Sequence, residues 1–182
     1  MKTLYLLRHA KSSHDIANLD DLLRPLNVRG YNDAKIVAAH LKTLKPIPDL
    51  IISSHAVRTY TTSIIFAEYL KIKSDKIKIE NSLYFTGKNQ IIKFIKALDD
   101  HYNNIMLVGH NPDFEKLVQY FTSNKTVLMP TTCLAVLNFD VKKWIDVKHS
   151  NCKLVTLILP TSINPLPGEI KNQKESSSQI TN

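Results

Sequence analysis

The sequence predicts an α/β fold, a three-layer α/β/α sandwich on a mainly parallel central sheet, and three observations predict it. Short apolar runs of strand length alternate with longer stretches of helical period up to about residue 160, which is the pattern of successive βαβ units. One run, "NIMLVGH", is apolar without alternation, as a strand covered on both faces must be. Three of the runs end abruptly on polar groups: Arg8 and His9 after the first, "SSHAVR" after the second, and Gly109, His110 and Asn111 after the central one.

The elements follow in order. Thr3 to Arg8 is the first strand, and a polar loop runs on through Asp21. Asn27, a good N-cap, opens a helix in which Ala34, Val37, Ala38 and Leu41 recur at helical spacing. That helix ends near Lys45, ahead of Pro46 and Pro48. "DLIISS" is the second strand. "AVRTYTTSIIFAEYL" reads as a helix despite its threonines, with Ile64, Ile65, Ala67 and Leu70 as its apolar face. "KIKIE" alternates like a strand bordering the sheet. Ile91, Ile92, Ile95 and Leu98 mark the next helix, and the central strand "NIMLVGH" follows it. Pro112 starts another helix with acidic residues close behind it. "CLAVLNF" and "KLVTLIL" complete the sheet, with "KKWIDVK" as a connection or short extra strand. One domain over residues 1–160 is therefore expected. A disordered tail over 161–182 should follow it, since apolar residues become scarce from Asn164 onward.

Composition excludes several classes. At 182 residues, 43% hydrophobic and 22% charged, the chain matches an ordinary globular domain. No apolar run approaches the ~20 residues that span a bilayer. The five-residue apolar stretch at Thr3 to Leu7 is too short for a secretory signal, so the cytoplasm is the expected location. Cys133 and Cys152 lie in apolar runs and read as buried reduced thiols. The net charge of +8 raises a nucleic-acid role. The distribution speaks against it: Arg8, Arg24, Arg29 and Arg58 all fall in the first third, and the lysines are scattered without a base-stacking motif.

In an open α/β sheet the carboxyl ends of the strands form the ligand crevice, so the three polar strand ends can converge there. Their chemistry suits an anion with several charged oxygens. Arg8 and Arg58 present planar forks of donors, and an imidazole beside arginines keeps one ring nitrogen unprotonated and able to attack phosphorus. A second histidine can donate to the equatorial oxygens as charge builds. Gly109, lacking a side chain, would let the backbone pack beside that histidine. A zinc site from His9, His14 and His110 is the competing reading, but Arg8 and Arg58 would repel a dication and no ligand spacing supports it. Neither a metal nor an organic cofactor is expected. Asp15, Asp20 and Asp21 read as a solvated loop, and His40, His101 and His149 as ordinary core or surface residues.

"LLRHAKSS", "RPLNVRG", "SSHAVRTYTT" and "MLVGHNPDFEKLV", in that order, resemble the histidine phosphatase superfamily in its short single-domain branch of phosphohistidine phosphatases. The likeness runs from Lys2 to about Pro160. It implies a phosphoglycerate mutase-like fold and a phosphoenzyme intermediate. By motif, His9 resembles the phosphorylated nucleophile, Arg8 and Arg58 the phosphate-binding arginines, and His110 the second histidine of the phosphate pocket. Arg24, in "RPL", matches a short-branch motif, and Asn111 follows His110 at the pocket, so both are candidate substrate-binding residues.

One departure bears on substrate. Many phosphomonoesterases of the family carry a glutamate in a leucine-x-glutamate setting after the strand that follows the second arginine. Here the stretch is "IENSLYFTG": Phe85 stands two places after Leu83, and Glu80 precedes it. A general acid is worth about 10²–10⁴-fold where an alkoxide leaves. A departing imidazole, with an ordinary pKa near 6.5, needs it less. A histidine-phosphorylated carrier protein is therefore the expected substrate and partner. A small phosphorylated metabolite and a non-catalytic phosphate- or RNA-binding module remain the alternatives.

Overall fold

The computed structural model describes residues 1–163. Six strands form one sheet: β1 (Lys2–Arg8), β2 (Leu50–Ser53), β3 (Ile77–Ile79), β4 (Asn104–Gly109), β5 (Leu134–Phe139) and β6 (Cys152–Ile158). Their spatial order is β3-β2-β4-β1-β5-β6. β1, β2, β3 and β4 pair in parallel, and β5 runs antiparallel to both of its neighbours. The mainly parallel sheet read from the sequence is thus present, with one reversed strand.

Four helices cover it: α1 (Val28–Thr43), α2 (Val57–Leu70), α3 (Lys88–Lys96) and α4 (Asp113–Thr122). Strand alternation sorts them into layers, because successive side chains of a strand point to opposite faces. Tyr5, Leu7, Ile51, Met106 and Val108 face α1 and α2, where they meet Ala34, Val37, Leu41 and Phe66. Leu4, Leu6, Ile52, Ile105 and Leu107 face α3 and α4, against Ile91, Ile95, Phe114, Leu117 and Phe121. Each layer hides one stripe of each helix, the condition for a stable three-layer sandwich.

Several local expectations are met and some corrected. Asn27 caps α1, accepting from the Gly30 N–H at 2.9 Å. Gly30 has a second constraint: a Cβ there would stand 2.1 Å from the Lys11 carbonyl oxygen, so only glycine lets α1 press on the segment that follows the first strand. Ile65, Ala67 and Leu70 are buried in α2 as expected, together with Arg58, Thr59, Thr62, Ser63 and Phe66, whereas Ile64 points outward. Hydroxyls tolerate that burial because each bonds a backbone carbonyl within the helix or just before it. "KKWIDVK" is a connection between β5 and β6 and not an extra strand. Trp144–Asp146 form a 3-10 turn that buries the Trp144 indole completely, its Nε1–H donating to the Tyr102 carbonyl at 2.9 Å. Gly109 is required by another neighbour than expected: a Cβ would meet the Phe114 ring at 2.4 Å.

Cys133 and Cys152 are free. Among the described residues no helix is long and apolar enough to cross a membrane. The expected tail began at 161, but Pro160–Ser162 form a 3-10 turn, and the rest of it, from residue 164, lies outside the described residues.

Candidate active site

At the carboxyl ends of β1, β2 and β4 the polar strand ends converge. A cavity of about 190 Å³ is lined by Arg8, His9, Lys11, Ser12, His14, Asp21, Arg24, Arg58, Phe85, Asn111 and Thr131. His110 lies behind it, with its ring 5.1 Å from that of His9.

His9 is held by its neighbours on both sides. Its N–H donates to the Gly109 carbonyl at 3.1 Å, and its carbonyl accepts from the Thr132 N–H at 3.1 Å. The chain then turns sharply enough for Nδ1 to lie 2.8 Å from the Ala10 carbonyl. A carbonyl can only accept, so Nδ1 carries the proton and Nε2 keeps its lone pair. Ala10 is fixed in turn by its N–H, which donates to Thr62 Oγ1 at 3.1 Å. The buried threonine of α2 thereby sets the aim of the histidine.

Arg58 enters from the first turn of α2 and is 2% exposed. Its Nη2 donates to Asp21 Oδ2 at 2.7 Å and reaches His110 Nδ1 at 3.3 Å, while Nη1 donates to the Asp21 carbonyl. His110 Nε2 meets Ser54 Oγ at 3.0 Å. With Arg58 as donor to Nδ1, the Nε2 proton of a neutral His110 points to Ser54. Arg8 donates from Nη1 to the Met129 carbonyl at 2.8 Å, and its buried Nε has no partner within the protein.

Burial, reinforced by Arg58, Arg8 and Arg24, pulls the His9 pKa down to about 4, although the bond to Ala10 opposes it. Burial, then His9 and Arg58, pulls His110 lower than its ordinary value as well. Both imidazoles are neutral near pH 7, and the positive charge of the pocket sits on the guanidinium groups. A consequence for stability follows. Above pH 6.5 neither folded nor unfolded chain protonates these rings. Between 6.5 and about 4 the unfolded chain binds a proton that folded His9 refuses, so stability falls as pH falls and levels off below about 4 for this group. Urea unfolding at pH 7 and pH 5 should show a loss on the order of 2 kcal/mol from His9 alone, and His9→Asn should remove that part while leaving the share due to His110. An equally steep dependence in His9→Asn would contradict the assignment.

The other expected residues divide. Arg24 lines the cavity, but its donors are committed: Nε to the Ser13 carbonyl at 3.0 Å, Nη1 to Asp21 Oδ1 at 2.8 Å and Nη2 to Ser12 Oγ at 2.7 Å. It braces the loop over the pocket. Asn111 donates to the Met129 carbonyl at 2.9 Å and to Glu115 at 3.2 Å, and so shares with Arg8 the carbonyl that orients the guanidinium. Glu80 is not among the lining residues; it caps the 3-10 turn Asn81–Leu83 by accepting from the Ser82 N–H at 2.8 Å. His14 turns to Arg24, and among the described residues no three histidine, cysteine or acidic side chains gather as metal ligands.

Asp21 adds most to the sequence reading. Exposed as expected, it is also the carboxylate that joins Arg58, Arg24 and the Tyr84 hydroxyl, the last at 2.8 Å. Burial works to raise its pKa, but the bonds from Tyr84, Arg58 and Arg24 outweigh that and hold it well below the ordinary carboxylate range. It occupies donors of Arg58 that an arriving oxyanion would use. Ser54, from the motif "SSHAVRTYTT", and Tyr84 and Phe85, which carried no motif, complete the surroundings of His110.

A histidine with a free ring nitrogen, set among arginines at the carboxyl edge of an α/β/α sheet, is the equipment of an enzyme that moves phosphoryl groups. No family model matches the chain. An uncharacterised chloroplastic protein of Arabidopsis thaliana is 30% identical over 177 residues, 88% of this chain and 79% of its own length. An uncharacterised protein of Mycobacterium leprae is 28% identical over 172 residues, covering 85% of this chain and 99% of its own. Among solved structures, the Agrobacterium tumefaciens protein assigned as phosphohistidine phosphatase SixA is similar at a TM-score of 0.75 and 27% identity, over 87% of this chain and 98% of its own. The SixA structure complexed with tungstate shares the fold at a TM-score of 0.74 and 19% identity, over 88% of this chain and 98% of its own. The chain belongs to the histidine phosphatase superfamily, in its short SixA-like branch.

Proposed function

We propose that this protein is a phosphatase that hydrolyses protein phosphohistidine through a phosphorylated His9. The observation that carries the reading is the His9 ring itself, which lines an arginine-rich cavity with its Nδ1 bonded to the Ala10 carbonyl, so that Nε2 is left as the free nitrogen. Nε2 attacks phosphorus in line, and the N–P bond to the substrate imidazole breaks with its electron pair returning to that ring. A proton already on the ring's other nitrogen makes the leaving group a neutral imidazole. Arg8 and Arg58 neutralise the equatorial oxygens; once an oxyanion takes the place of Asp21 at Arg58, His110 donates from the side in its other tautomer, with the proton on Nδ1 and Nε2 accepting from the Ser54 hydroxyl. Water then adds oxygen to phosphorus and its proton to the departing phosphate, and the electron pair returns to Nε2. The similarity to the Agrobacterium SixA supports phosphohistidine as substrate. So does the pocket wall, where an apolar ring stands in place of a glutamate.

The test is phosphate release from a histidine-phosphorylated carrier protein, beside a sugar phosphate and p-nitrophenyl phosphate, with and without chelator. Chelator-resistant release that favours the carrier is expected. Turnover of the sugar phosphate with none of the carrier would overturn the substrate assignment, and restoration by zinc after chelation would overturn the mechanism.

A further inference from the structure

Phe85 has no part in the scheme above, yet it is the one large apolar side chain among the described residues that line the phosphoryl cavity. Its backbone is left-handed, with φ 51°, a conformation that a bulky residue adopts only under constraint. The constraint comes from both flanks. Tyr84 is tied through its hydroxyl to Asp21 at 2.8 Å, and the Gly87 N–H donates to the buried Asp113 carboxylate at 3.0 Å. Strain of this kind persists where the surroundings over-determine it, and it concentrates at ligand clamps.

The strain has a geometric result. The Phe85 ring lies 4.8 Å from that of His110 at an interplanar angle of 30°, and its edge meets Tyr84 at 4.8 Å. Despite these contacts the residue remains 49% exposed. The neighbouring polar groups are engaged already, Asp21 by three donors and Arg24 by Asp21, Ser12 and Ser13. An aromatic ring is thus presented to a cavity otherwise lined by polar and charged groups.

We infer that Phe85 is a specificity-determining residue, an aromatic platform on which the pocket seats the flat ring of its leaving group as the N–P bond breaks. The inference deepens the phosphohistidine reading and rests on it. An imidazole stacks on a phenyl face, and gains further while it carries charge. An ammonia or a sugar hydroxyl leaving the same phosphoryl group has no ring to offer.

Two small substrates isolate that contact, because N-phosphoimidazole and phosphoramidate both break an N–P bond and differ in the ring. Phe85→Leu keeps apolar bulk without the aromatic face. Phe85→Gly removes the side chain while relaxing the left-handed backbone, so loss of folding does not cloud the result. Both should lower the ratio of kcat/KM for N-phosphoimidazole to that for phosphoramidate by about tenfold, and Phe85→Tyr should hold it within about twofold of the unmutated protein. A ratio that stays constant in Phe85→Leu and Phe85→Gly, including the case where both substrates slow together through a disturbed His110, overturns the platform and leaves the phosphohistidine reading standing. If the unmutated protein hydrolyses phosphate esters and neither N-phosphoimidazole nor the carrier, both fall together.

Discussion

His9→Ala is expected to lower turnover of a histidine-phosphorylated carrier by more than about 10³-fold, since it removes the attacking atom and not a contributor to its surroundings. Arg8, Arg58 and His110 remain in place in that variant, each held by partners that His9 does not supply: the Met129 carbonyl, Asp21 and Ser54. Oxyanion binding should therefore survive where chemistry does not, and vanadate or tungstate should still bind His9→Ala within about tenfold of the unmutated affinity. The same variant tests the intermediate. Quenched in alkali, where an N-phosphoryl histidine is stable, the unmutated protein should retain labelled phosphate during turnover and His9→Ala should retain none. Label persisting on His9→Ala, or activity within tenfold of normal, would remove His9 from the role of nucleophile.

Arg58→Lys is expected to cost about 10²–10³-fold in kcat/KM, nearly as much as Arg58→Ala, although it preserves the charge. The reason lies in geometry. Nη1 and Nη2 bond the carbonyl and the carboxylate of Asp21 while Nη2 also reaches His110, an arrangement that needs a planar fork. An ammonium on a flexible stem supplies a point charge and cannot serve these partners together. Arg58→Lys should also weaken tungstate inhibition and let the Asp21 carboxyl rise toward its ordinary value, because one of its three donors is gone. Lysine restoring normal kcat/KM would show that charge alone is required.

Much of the site was legible in the sequence, for a definable reason. Arg8, His9 and His110 directly follow apolar strands, and Arg58 opens a helix just past another, so each advertises its place by an abrupt change in local pattern. Strand and helix periods are local as well, which is why the strands, the Asn27 cap and the α1 face read correctly. Ile64 misled because apolar character alone does not show that Thr59, Thr62 and Ser63, their hydroxyls satisfied by backbone carbonyls, take up part of the buried face of α2. Arg24 and Asn111, expected to meet substrate, do line the cavity, but that their donors also brace its loops through Ser12 and the Met129 carbonyl is a long-range fact no local pattern carries.

The sequence by itself determined the alternation of strands and helices, and so the α/β class, the strand ends that carry Arg8, His9 and His110, and the family. What only the tertiary structure decided is the company these residues keep. Asp21 reaches Arg58 across 37 positions and Tyr84 reaches Asp21 across 63. Such contacts depend on the strand order β3-β2-β4-β1, which brings the loops after β1, β2 and β3 to one edge. A carboxylate in a polar loop has the same local signature whether water or two guanidinium groups surround it. The same holds for the phenyl ring of Phe85, whose left-handed backbone and exposed face are fixed by Asp21 and Asp113 holding the chain on either side.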